Sequence, residues 1–359
     1  MQEQAFIIEK DQLFSWLEKL QHEFLLIGPK KQEEGGGAAF LPIKSVQELD
    51  LNYTLTMMGP QIYLYPPEET ICTIWRKDDG GFEVRIREEV PRQVLFAVRS
   101  CDLQAILVLD KVFLRPGLED RNYRLWRENT LLIGLHCSSI HPQCFCASMG
   151  SGPFFEPRQG YDLLLTDLGQ MGYLAETLGE RASSLLAALK ARPATQAHFD
   201  QKRQIGHYLL TQFQKSIDTT HLVEVLLKNQ DHPVWSQTAD QRCLSCTNCT
   251  KVCPTCFCYN TKDTVSFDLV RCERIRYKDS CQELHFAQVH GANFRSTRSS
   301  RLRQFVTHKL ATWVEQFGCF GCVGCGRCMS WCPTGIDLTQ MAKEIMVSEG
   351  LYDRRRQAW

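Results

Sequence analysis

At 359 residues, with 43% hydrophobic and 23% charged side chains, the chain is ordinary globular material, long enough for two cores; the disordered and collagen-like classes are excluded. Lys+Arg and Asp+Glu are both 41, so no global field favours nucleic acid, an anionic membrane or an acidic partner. Met1-Gln2-Glu3-Gln4 brings an acid before any base, without the apolar stretch of a secretion signal, and no run reaches membrane-spanning length. A reducing cytoplasm is therefore expected, where 18 cysteines read as metal ligands or redox groups.

Residues 11–20 have an Asp cap and apolar positions at helical spacing, and residues 22–27 read as a short strand ended by Gly28-Pro29. Residues 30–39 are polar and glycine-rich, a surface loop; Gly35-Gly36-Gly37 has neither the Lys-Ser/Thr of a phosphate loop nor a Rossmann context, so no nucleotide role is expected. Strands are expected over residues 62–65, 71–75, 82–86, 94–98, 131–135 and 163–166, with a helix over 103–113 between them. Residues 179–229 have helical periodicity, as in SSLLAALKA, GHYLLTQFQKSI and HLVEVLLKN. The expected organisation is an α/β N-terminal domain over 1–178, a helical connector over 179–235, and a mostly α-helical, two-cluster ferredoxin-like domain over 236–359.

Two runs carry the chemistry. Cys243-x2-Cys246-x2-Cys249-x3-Cys253-Pro254 and Cys322-x2-Cys325-x2-Cys328-x3-Cys332-Pro333 both fit the bacterial ferredoxin pattern. Three thiolates at x2 spacing wrap one cubane, and the fourth, before proline, turns to the other cluster. Cluster one is thus expected on Cys243, Cys246, Cys249 and Cys332, and cluster two on Cys322, Cys325, Cys328 and Cys253. Ser245, Gly324 and Gly326 are small enough to let backbone amides approach the sulfurs and tune the potential. Thiolates at x2 spacing also suit zinc, but zinc knuckles need neither the third cysteine nor the trailing Cys-Pro. Dozens of residues separate the runs and read as helical, including a basic helix over 301–317.

Cys101 and Cys137 each follow an apolar strand, and Cys144 and Cys146 arrive on the loop HPQCFCASMG. Ligands collect beyond the carboxyl ends of strands in α/β sheets, so these four thiols are candidates for a third cluster, with His136 and His141 as substitutes. Against this, the spacing matches no standard ligand signature, and buried cysteines are common small hydrophobes. Cys256, Cys258, Cys272, Cys281 and Cys319 are read as pocket-shaping or packing residues. Arg295, Arg298, Arg301, Arg303, His308 and Lys309 recur at near-helical spacing and read as a positive face, solvated or placed to dock an acidic partner or raise a cluster's potential.

The segments VLFAVRSCDLQAI, RENTLLIGLHC, CFCASMGSGP, GYDLLLTDLG, CPTCFC, the 301–309 stretch ending in HK, and GCVGCGRC run through nearly the whole chain. Together they resemble the β subunit of cytoplasmic sulfhydrogenases, a family related to the anaerobic sulfite reductases. The resemblance implies an electron conduit between a flavin subunit that handles NAD(P)H and a catalytic subunit, either a nickel–iron hydrogenase or a sulfur-compound reductase. It places ligands on the eight cysteines above and a further cysteine set on Cys101, Cys137, Cys144 and Cys146. The chain departs from the family in having Ser100 where a proline precedes Cys-Asp, and in Cys272 and Cys319. It is not expected to be catalytic alone; the competing reading is an iron–sulfur enzyme reducing a sulfur substrate or disulfide at an N-terminal cluster.

Overall fold

The computed structural model describes residues 4–32, 37–155, 159–177, 186, 189 and 191–351. Its strands are β1 (Gln4–Ile8), β2 (Leu25–Lys31), β3 (Ala38–Pro42), β4 (Glu68–Arg76), β5 (Phe82–Ile86), β6 (Gln93–Val98), β7 (Thr130–Leu135), β8 (Leu163–Asp167), β9 (Tyr173–Thr177), β10 (Arg192–Pro193), β11 (Tyr259–Val265), β12 (Arg271–Lys278) and the short pair β13 (Gln288–Val289) and β14 (Ala292–Asn293). A mixed eight-stranded sheet has the order β10-β1-β9-β8-β7-β6-β2-β3, with β2, β6, β7 and β8 parallel.

Alternate residues of β6, β7 and β8 explain the layering. Val94, Phe96, Leu131, Ile133 and Leu165 pack on α1 (Lys10–Leu20) through Leu13, Trp16, Leu17 and Leu20. Leu95, Leu132 and Leu164 pack on the opposite face against Leu103, Ile106, Leu109 and Phe113 of α2 (Ser100–Phe113) and Tyr123 of α3 (Arg121–Glu128). Strands buried on both faces are continuously apolar, which is why they stand out in the sequence.

The expected strands 71–75, 82–86, 94–98, 131–135 and 163–166 all fall within strands, whereas residues 62–65 do not. Pro60, with its fixed φ, opens a 3-10 turn over Pro60–Tyr63 instead. The strand expected over 22–27 starts at Leu25 and runs through Gly28-Pro29 to Lys31, because Pro29 pairs with Phe40 of the adjacent β3. The glycine-rich loop is correspondingly shorter, and residues 33–36 lie outside the described residues, as does most of SSLLAALKA. The first helix is capped by Glu9 and Gln12 rather than by Asp11, which sits in its first turn.

The C-terminal half holds α4 (Gln196–Leu210), α5 (Leu222–Lys228), α6 (Val234–Arg242), α7 (Asn248–Lys251), α8 (Arg298–Thr307), α9 (Trp313–Phe317), α10 (Arg327–Ser330) and α11 (Leu338–Ser348). Leu226, Trp235, Leu302, Phe305, Leu310 and Ile345 are among the residues of its core. A π turn, His308–Thr312, links α8 to α9. The insertion between the cysteine runs is not helical throughout. It begins with the β11–β12 hairpin, and β12 pairs with β4, giving a four-stranded antiparallel sheet β11-β12-β4-β5. Residues 259–278 are therefore joined to residues 68–86, and Arg276, almost fully buried, bonds to Glu69 and Asp120. Among the described residues no helix is long and apolar enough to cross a membrane.

Candidate functional site

The two cysteine runs adopt matching backbone turns. After Cys243, Ser245 and Thr247 take left-handed φ values of 51° and 67° and lead into α7; after Cys322, Gly324 and Gly326 do so at 64° and 78° and lead into α10. In each run this turn aims an amide at the first sulfur. The Ser245 amide donates to Cys243 Sγ at 3.4 Å, and the Gly324 amide to Cys322 Sγ at 3.4 Å. Each trailing cysteine begins Cys-Pro-Thr. Thr255 Oγ1 lies 3.3 Å from Cys253 Sγ and Thr334 Oγ1 lies 3.5 Å from Cys332 Sγ, while the Ile336 amide donates to Cys332 Sγ at 3.3 Å. The repeated Cys-Pro-Thr was the available signal for these threonines.

The runs interlock. Cys243, Cys246, Cys249 and Cys332 line one cavity, walled also by Leu302, Phe305, Val306 and Ile336. Cys253, Cys322, Cys325 and Cys328 line a second, walled by Phe145, Phe305, Val323 and Lys309. Cys328 borders both cavities and faces Cys249. Among the described residues no three His, Cys, Asp or Glu side chains converge on one ion-sized point. Thiols distributed around a cavity, with amides aimed at the sulfurs, are instead the donor set for a cubane, in which each cysteine takes a separate iron.

The trailing thiols differ electrostatically from their neighbours. A hydrogen bond from Cys256 holds Cys253 well below the usual thiol range, with Lys309 adding to the effect. Burial pushes Cys332 up, but hydrogen bonds from Thr334 and the Ile336 amide outweigh it and the net shift is downward. Burial dominates at Cys249 and Cys328, which rise, and pushes Cys322 up to about 12.

Three of the N-terminal cysteines, Cys101, Cys144 and Cys146, come beside Cys325 of the second run. The strand β6 bulges between Phe96 and Val98, with Ala97 at φ 59°, and re-aims the chain into Arg99-Ser100-Cys101-Asp102. Arg99 is buried, with its guanidinium 4.3 Å over the Tyr53 ring, and donates to the carbonyls of Leu51, Tyr53 and His136. This clamps the ends of β6 and β7 side by side. Cys101 enters the first turn of α2, Cys137 follows β7, and Cys144 and Cys146 sit on the next loop. Burial raises the thiols of Cys101, Cys144 and Cys146, and nearby thiols add to it: Cys325 acts on all three and Cys137 on the latter two. Cys144 Sγ donates to the Cys325 carbonyl at 3.4 Å, and the Phe145 amide to the Gly324 carbonyl at 2.8 Å.

His136 is not a ligand. Its Nε2 accepts from the Phe155 amide at 3.0 Å and its Nδ1 lies 2.8 Å from Thr166 Oγ1, so both nitrogens are used, and burial keeps the ring neutral. Of the remaining cysteines, Cys256 bonds to Cys253, Cys281 adjoins Cys249 and Cys258, and Cys319 packs near Cys101, Cys146 and Cys325. Cys72 and Cys272 lie in β4 and β12.

The basic stretch is not a uniformly solvated face. Arg301 and Lys309 are buried and Arg298 is exposed; Arg298 donates to the Cys243 carbonyl at 3.0 Å from the surface side, and Arg301 to Ser245 Oγ at 3.2 Å from inside, so these two cations brace the first run. A further internal cation is Arg327 of Cys325-Gly-Arg-Cys328, which spans to Asp102.

The contact between the loops is tight enough to predict from. A Cβ on Gly324 would lie 2.7 Å from the backbone of Phe145 and Cys146, at a φ that side chains rarely adopt. Gly324→Ala is expected to destabilise the protein by more than the ~1–3 kcal/mol of the backbone strain alone, read as an earlier midpoint in chemical denaturation. Gly80→Ala is the control for strain, because it has φ +82° and open space around the added carbon.

Comparison with known proteins agrees with this geometry. Residues 242–336 match the 4Fe-4S dicluster domain family. Sulfhydrogenase 2 subunit beta of Pyrococcus furiosus is 31% identical over 329 residues, 87% of this chain and 89% of that protein. No solved structure matches. With eight cysteines around two adjoining cavities and a relative matched along nearly its whole length, the chain belongs to the sulfhydrogenase β-subunit family, as an iron–sulfur electron-transport component of an oxidoreductase.

Proposed function

We propose that the chain relays single electrons between a flavin subunit that handles NAD(P)H and a catalytic subunit, either a hydrogenase or a sulfur-compound reductase, in the cytoplasm. Cys243, Cys246, Cys249 and Cys332 hold one 4Fe–4S cluster, Cys322, Cys325, Cys328 and Cys253 a second, and Cys101, Cys137, Cys144 and Cys146 a third. When bound, each cluster takes up and releases one electron without making or breaking a substrate bond.

The observation that carries this reading is the serial placement of the thiols. Cys101, Cys144 and Cys146 adjoin Cys325 of the second cavity, Cys328 borders the first, and Cys246 and Leu244 of the first run are exposed. Cys101, Cys144 and Cys146 are at most 8% exposed and Cys137 is half-buried, which favours an electron site over one that a sulfur substrate or disulfide enters.

Anaerobic iron and sulfide quantitation tests it. At four irons per cubane, about twelve per chain are expected, falling toward eight in Cys144→Ser. About eight in both proteins removes the third cluster. A colourless, zinc-containing protein removes all three. If the purified chain, supplied with a reductant, turned over sulfite, polysulfide or a disulfide, the relay reading would give way to that of an enzyme.

A further inference from the structure

Lys309 is 4% exposed, at the junction of α8 and the π turn. Its Nζ donates to the Thr255 carbonyl at 3.0 Å and to Thr255 Oγ1 at 2.9 Å, and lies 5.2 Å over the Trp313 ring. All of these partners are neutral. A buried ammonium is normally neutralised or paired, since leaving water costs several kcal/mol. The ionisable groups that act most on Lys309 are the cysteines Cys253, Cys256, Cys258 and Cys322, which are negative once they are thiolates. Its side chain also lines the cavity that Cys253 and Cys322 share with Cys325 and Cys328.

This places a fixed positive charge, in a low-dielectric wall, beside a site built to become anionic. Four thiolates leave a cubane net negative, and reduction adds one more negative charge without a proton. A cation held there stabilises the reduced form more than the oxidised form. The three-way arrangement is specific: Thr255 Oγ1 accepts from Lys309, donates to the Gly321 carbonyl at 2.5 Å, and touches Cys253 Sγ, so the ammonium, the trailing ligand and the second run are held in one frame.

We propose that Lys309 is the internal countercharge of the second centre, and that it raises the reduction potential of the cluster held by Cys322, Cys325, Cys328 and Cys253. The inference rests on the ligand assignment under Proposed function. Lys309 is a positioning and tuning residue; it forms no bond to iron.

The test compares Lys309→Met with Lys309→Arg in the full chain, loaded with clusters anaerobically and titrated with dithionite under EPR. In Lys309→Met one midpoint should fall by at least a tenfold change in the reduction equilibrium, about 59 mV for a one-electron couple, while the others move less. Lys309→Arg, which keeps the charge, should stay within about threefold of wild type. Loss of one cluster's iron in Lys309→Met but not in Lys309→Arg would equally support the countercharge role. Unchanged midpoints in Lys309→Met, or the same change in both variants, would overturn it. Wild-type protein lacking the iron of two cubanes would instead defeat the ligand assignment, so the two failures are distinguishable.

Discussion

Arg327→Met is expected to destabilise the protein by about 3–5 kcal/mol, the range for breaking a buried ion pair by removing one partner. Arg327 and Asp102 side chains are 0% and 1% exposed. The guanidinium donates to Asp102 Oδ1 at 2.6 Å and Oδ2 at 2.9 Å, and to the Thr56 carbonyl at 2.8 Å and Thr56 Oγ1 at 3.1 Å. Methionine fills most of the volume but leaves the Asp102 carboxylate and the Thr56 carbonyl buried without a donor. The pair also joins the two cysteine-bearing regions, because Asp102 follows Cys101 and Arg327 precedes Cys328. The measurable result is a lower denaturation midpoint of the anaerobic protein together with reduced iron retention. Arg327→Met combined with Asp102→Leu should recover much of the loss, since replacing both charges by apolar groups removes the stranded carboxylate. A single variant within about 1 kcal/mol of wild type would show that the pair does not brace the interface.

The parts of this fold that the sequence displays are those where burial imposes a pattern. β6, β7 and β8 are buried on both faces and read as unbroken apolar runs. The cysteine runs are legible because ligand spacing is dictated by the cluster and not by packing. The β11 strand gives no such signal: every residue from Tyr259 to Val265 is exposed, and its charges are satisfied across strands, Lys262 with Glu68 at 2.9 Å and Asp263 with Arg274 at 2.8 Å. No period-2 alternation arises in a strand without a buried face. The approach of Cys101, Cys144 and Cys146 to Cys325, with Cys137 beside the latter two, depends on the bulge at Ala97 and the Arg99 clamp, both tertiary. The inward direction of the basic residues, by contrast, is written in their spacing. Arg301 and Lys309 each lie four residues from Phe305, so they share its inward face, and counting charges without placing them on the helix hides this.

Cys332→Ser is expected to remove or cripple the cluster at the first run, not the one at its own. Cys332 lines the cavity with Cys243, Cys246 and Cys249, while Cys253 occupies the corresponding place beside Cys322, Cys325 and Cys328. Pairwise combinations separate this exchange from ligation within each run. Cys332→Ser and Cys246→Ser should each lower the iron content by about four, and together still by about four, because both strike the same cubane. Cys332→Ser with Cys253→Ser should lower it by about eight. If each run instead kept its own fourth cysteine, both pairs would lose about eight, so Cys332→Ser with Cys246→Ser is the combination that discriminates. Iron quantitation on these four proteins therefore decides which cysteine completes which cluster. With ligands exchanged, neither run can close its site until Cys253 and Cys332 have crossed, so the segment from 254 to 321 must fold back before either cluster is fully ligated.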